Sequence, residues 1–204
     1  MATAPIAPPE TLRAVHRIQA ITIAWMILEA ILSLYSAWSA HSPALAAFGG
    51  DSAVELVSAL VVLWRFRNPA AESAERIAAR LTATLLFVVA AFVAVVSVRA
   101  LLGYTEPRPS YLGIAVLAAA ALIMPWLAKE KRRLSAQTQS AALRADAAES
   151  TLCAYLSLIA LAGLAAHALF KIEWADPIAA LAILPLILYE ARESLRGHPC
   201  DCCP

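Results

Sequence analysis

Asp51 and Glu55 stand four residues apart in AAFGGDSAVELVSALVVLW, a run that is otherwise apolar. Residues at that spacing share one face of a helix. A second group, RADAAESTLC, places Asp146, Glu149 and Cys153 at spacings of three and four, again on one face. An ionisable residue inside a membrane span costs roughly 3 kcal/mol or more, and such residues usually mark an ion pathway. If the two helices pack together, Asp51, Glu55, Glu149 and Cys153 offer three carboxylates and a thiol to one point. Four such donors suit a tetrahedral divalent cation, and zinc accepts both oxygen and thiolate sulfur. A magnesium site would be all oxygen.

Other residues compete for the same chemistry or extend it. Asp51 and Asp146 lie near the starts of their apolar runs, where solvation is the plain alternative, and Arg144 is a candidate partner for Asp146. Cys153 alone would read as a small buried hydrophobe. Its relation to Glu149 is what makes it a ligand candidate. Glu29, in the middle of the first run, suits proton transfer or the flank of a cation path. Glu190 lies beside Arg192 and Glu193 and reads as a solvated residue near a helix end. His167 reads as a structural histidine with its hydrogen bonds satisfied. The tail HPCDCCP carries His198, Cys200, Cys202 and Cys203, whose thiols suit capture of soft or borderline metals.

The elements that must position these residues are apolar blocks. The 204-residue chain is 61% hydrophobic, with a mean hydropathy of +0.70. Soluble domains run near about 45–50% apolar. The blocks fall at approximately 18–40, 44–66, 77–102, 110–128, 140–170 and 175–195. Each is close to or above the roughly 20 residues a helix needs to cross the hydrocarbon core. Turn chemistry separates them at His41-Ser42-Pro43, Arg67-Asn68-Pro69, Glu106 to Pro109 and Trp174 to Pro177. Pro125 and Pro185 fall inside blocks and are candidate kinks. The fold expected is therefore an all-α membrane protein, a bundle of six transmembrane helices.

Arginine and lysine set its orientation. Arg13, Arg17, Arg65, Arg67, Arg76, Arg80, the run KEKRR, Arg144, Arg192 and Arg196 would share one side. Only Arg99, Arg108 and Lys171 would lie opposite. The positive-inside rule then places both termini in the cytoplasm. KEKRR is read mainly as a topology signal in a short loop, with attraction to anionic lipid as the alternative. The division expected is a cytoplasmic segment at 1–17, a six-span domain at 18–196 and a Cys/His-rich cytoplasmic tail at 197–204. The first block is too long for a signal peptide's apolar region and reads as a retained helix. No Walker-type phosphate loop, nucleophile–base pair or nucleic-acid motif is present, so an enzyme or nucleic-acid binder is not expected.

GGDSAVELVSA, LRADAAESTLCAYLS and WADPIAALAILPLILYEARESLRG, in that order, resemble the transmembrane domain of cation diffusion facilitators. The resemblance runs from the first span to the end of the sixth. It implies export of zinc or a related divalent cation from the cytoplasm in exchange for protons. It places the span 2 ligand pair on Asp51 and Glu55 and the span 5 pair on Glu149 and Cys153. Asp146 matches an acid one turn earlier, and Asp176 with Pro177 matches the start of the last span. The family's span 5 pair is His-x-x-x-Asp, whereas this chain has Glu149 and Cys153. A thiolate softens the site and favours zinc, cadmium or cobalt over manganese.

The family's small cytoplasmic domain, used by many members for metal sensing and dimer contact, has no counterpart in this sequence. The Cys-rich tail is a candidate for part of the metal-capture role, and a homodimer remains a candidate assembly. The expectation is thus a multi-pass protein of the bacterial inner membrane with no tightly bound cofactor. Its ligands are a divalent cation, zinc first, and protons. The reading from a different class is a non-transporting membrane metal-binding accessory or sensor.

Overall fold

A computed structural model describes residues 9–67, 72–138 and 141–196. Six helices form there: α1 (Pro9–Ala40), α2 (Pro43–Arg67), α3 (Glu72–Leu101), α4 (Tyr111–Thr138), α5 (Ala141–Phe170) and α6 (Ala175–Arg196). The described residues are helical apart from short turns.

The helix ends follow from local chemistry. Ser42 caps α2, its hydroxyl accepting the Leu45 N–H at 3.2 Å, with Pro43 in the first helical position. Ser110 caps α4 in the same way, accepting from the Gly113 N–H at 3.0 Å. At the other ends the chain turns left-handed. Gly103 has φ 78°, and the Gly103 and Tyr104 N–H groups bond back to Ala100 and Arg99, a Schellman closure of α3. His41 (φ 51°) ends α1, and Lys171 (φ 55°) ends α5. The breaks expected at residues 41–43 and 106–109 are therefore present, and the last falls at 171–174, with α6 already begun at Ala175. The break at 67–69 falls partly outside the described residues. α4 and α6 continue through Pro125 and Pro185.

The helices close a ring in the order α1, α2, α3, α6, α5, α4, each packed on the next and α4 on α1. α2 also reaches across the ring to α5 and α6. That crossing brings the two acidic groups of the sequence together. The core is lined by residues such as Phe48, Leu117, Met124, Leu156 and Ile183, all buried. Large apolar side chains such as Ile31, Val88, Phe92 and Leu122 point outward, as expected of helices facing lipid.

Among the described residues, four helices are by length and composition apolar enough to cross a membrane, over Arg13–Ala40, Ala83–Leu101, Tyr111–Thr138 and Asp146–Phe170. α2 carries Asp51 and Glu55, and α6 carries Asp176, Glu190, Arg192 and Glu193. One expectation changes: the basic run KEKRR is not a loop. α4 continues through it to Thr138, because Lys, Glu and Arg are good helix formers and Leu134 and Ser135 are buried within the bundle.

Candidate metal centre

Asp51 and Glu55 lie one turn apart on α2, and α2 is held close to its neighbours by the two glycines before Asp51. A Cβ on Gly49 would meet the Ser33 Cβ at 2.9 Å and the Leu34 nitrogen at 3.0 Å. One on Gly50 would meet a Val89 methyl at 2.9 Å. Only glycine lets α1 and α3 approach this closely, in the manner of small-residue packing between membrane helices. From the opposite side α5 presents Cys153. One ligand atom each from Asp51, Glu55 and Cys153 all fall within 4.8 Å of one another, and all three residues are buried.

The polar atoms of this group are left open. Both Asp51 carboxylate oxygens and the Glu55 Oε1 are buried with no hydrogen-bond partner among the described residues. Buried polar groups are nearly always paired, and an unpaired buried charge is expensive. A divalent cation would satisfy all three oxygens at once. Three protein donors also leave a tetrahedral ion one further position, the condition under which ligands exchange.

Two glutamates surround the group. Glu29 on α1 is fully buried, and its carboxylate is saturated. Its Oε1 accepts from the Ser52 hydroxyl at 2.7 Å and from the Cys153 thiol at 3.5 Å, and its Oε2 accepts from the Trp25 indole N–H. Glu29 therefore orients the thiol. Glu190 on α6 is buried, not solvated as its charged neighbours suggested. Its carboxyl lies against that of Asp51. A proton on either carboxyl could be shared between the two. The signal that could have identified Glu190 is the span of α6: Asp176 sits fourteen residues earlier, in the first turn, so Glu190 is well within the bundle.

Glu149 does not join the group of three. It shares a face with Cys153 but stands one turn nearer the start of α5, about 6 Å along the axis. It is half-buried, with Glu190, Asp146 and Lys131 as its electrostatic neighbours. Asp146 is occupied elsewhere. The Lys131 ammonium donates to its Oδ1 at 2.7 Å, and the Gln19 amide donates to its Oδ2 at 2.6 Å. The partner expected for it was Arg144, but that side chain is exposed. Lys131, counted with the topology charges, is fully buried.

Asp176 has a structural part. Its Oδ1 accepts the Ala44 N–H at 3.0 Å, so the start of α6 caps the start of α2. His167 is buried, but its Nδ1 has no partner among the described residues, so the expectation of a satisfied histidine is not met. His198, Cys200, Cys202 and Cys203 lie outside the described residues.

The family model of the cation efflux transmembrane domain matches residues 19–197. That stretch contains the buried group, Glu29 and Glu190. No curated protein matches the chain.

Proposed function

This chain belongs to the cation efflux family, and from that membership we propose that it is a secondary transporter exporting a divalent transition-metal cation in exchange for protons. Zinc is the first candidate, with cadmium and cobalt next. The observation that carries the reading is the convergence of Asp51, Glu55 and Cys153 around carboxylate oxygens that have no other partner. A mixed oxygen and thiolate set suits zinc and disfavours magnesium and manganese.

The mechanism follows from ligand chemistry. A carboxylate or thiol that holds a proton cannot hold the metal, so the cation and protons exclude each other at this group. With the group open to the cytoplasm, the metal binds and the protons leave. With the group open to the other side, where protons are more abundant, they displace the metal. Each charge moved inward through 100 mV is worth about 2.3 kcal/mol. The conformational step is a rocking of helix groups around a fixed site.

In this reading all six helices span the bilayer, including the acid-bearing α2 and α6, whose charges face the interior of the ring. Both termini are cytoplasmic, by the positive-inside rule. The membrane is a bacterial inner membrane, and a homodimer is the candidate assembly. A metal panel in proteoliposomes under an imposed pH gradient tests the proposal. Zinc, cadmium and cobalt should move, and magnesium should not. Binding of zinc with no flux of any metal would instead make the protein an accessory or sensor.

A further inference from the structure

Lys131 is a fully buried lysine that the metal group does not use. It lies on α4, seven residues before the end of that helix, and donates to Asp146 at 2.7 Å and to Ser150 at 2.9 Å, both on α5. The other Asp146 oxygen takes the Gln19 amide of α1 at 2.6 Å. Three helices therefore meet at one carboxylate. α1 packs mainly on α2 and α4. The bonds from Gln19 to Asp146 and from Cys153 to Glu29 cross directly from α1 to α5.

The position of this bridge is informative. Asp146, Glu149 and Cys153 form a ladder on α5, and the bridge holds the rung farthest from the metal group, about 10 Å from Cys153 along the axis. The two outer rungs are partly exposed and the innermost is not. The Asp146 side chain is 22% exposed, Glu149 is half-buried and Cys153 is closed off. Beyond Cys153 the inner face of α5 is sealed by Leu156, Ser157, Ala160 and Leu164, all buried. Along α5, then, the partly exposed rungs lie on the side of the α4–α5 hairpin, where the bridge stands.

We propose that Lys131, Asp146 and Gln19 form the gate on that side, and that Lys131 is a positioning residue of transport rather than a topology charge. The ammonium keeps Asp146 from serving as a metal ligand and uses it to draw α1 and α5 together. The bridge parts to let a cation reach Glu149 and then the buried group. When the bridge opens toward water each freed polar group is rehydrated, which offsets part of the cost of breaking it. The inference rests on the transport reading, which makes this side the cytoplasmic one.

Cys153 is a native reporter of the gate. In a chain carrying C200S, C202S and C203S it is the one cysteine left, since the sequence has four. Sealed vesicles of each orientation are treated with a small, cationic, membrane-impermeant methanethiosulfonate, and the rate of Cys153 modification is measured. Lys131→Met and Gln19→Leu should each raise that rate from the hairpin side by about tenfold or more, the scale of losing a hydrogen bond to a charged group. Lys131→Arg should stay near the parent rate. The rate from the opposite side should not change. An unchanged rate in both variants overturns the gate, and so does an equal rise from both sides, which would mean general loosening. Gated modification in a protein that moves no metal would leave the gate standing and remove the transport reading.

Discussion

At the scale of the residue, the proposed site makes Cys153 the donor that would set the cation preference. It replaces an oxygen with a softer, larger donor, and it is oriented by Glu29 at 3.5 Å. Cys153→Asp should therefore shift the flux preference from cadmium and zinc toward manganese, read as the ratio of initial rates across the metal panel. An unchanged ratio would remove the thiol from the site. Asp51 and Glu55 were legible in the sequence because a spacing of four on an apolar helix has few other meanings. Glu190 and Lys131 were not. Each sits in a charged run, and sequence alone does not show which member of such a run turns inward. Glu149 shares the face of Cys153, one turn away, and lies outside the group of three.

At the scale of the element, the helices depend on close contacts and on caps. A Cβ on Gly163 of α5 would lie 2.3 Å from the Ala179 Cβ and 3.1 Å from the Ala175 carbonyl oxygen of α6. Gly163→Leu should force these helices apart at a cost of roughly 1–3 kcal/mol or more, seen as a lower Tm in detergent. Asp176→Ala removes the bond from the Ala44 N–H and should cost about 1 kcal/mol, the usual value of a lost N-terminal cap. Because this carboxylate caps α2 from α6, a matching loss from Ser42→Ala would be only partly additive. Helix positions were legible from apolar blocks and turn residues. The length of α4 was not, because charged residues that end an apolar block do not end a helix.

At the scale of the whole molecule, a ring of six helices with α2 reaching across it explains how Cys153 of α5 comes to lie beside Asp51 and Glu55 of α2. Zinc binding to that group should release protons, because its ligands bind the metal only when deprotonated. Calorimetry in buffers of different ionisation enthalpy would show the release, and apparent affinity should fall as pH falls. A binding heat independent of the buffer would argue against shared ligands. The central claim is that Asp51, Glu55 and Cys153 hold the transported cation, and the most direct test is zinc flux in proteoliposomes driven by a pH gradient. The account predicts that Asp51→Asn or Glu55→Gln reduces flux to that of protein-free vesicles while the protein stays folded. Flux of wild-type size in the double variant would contradict it.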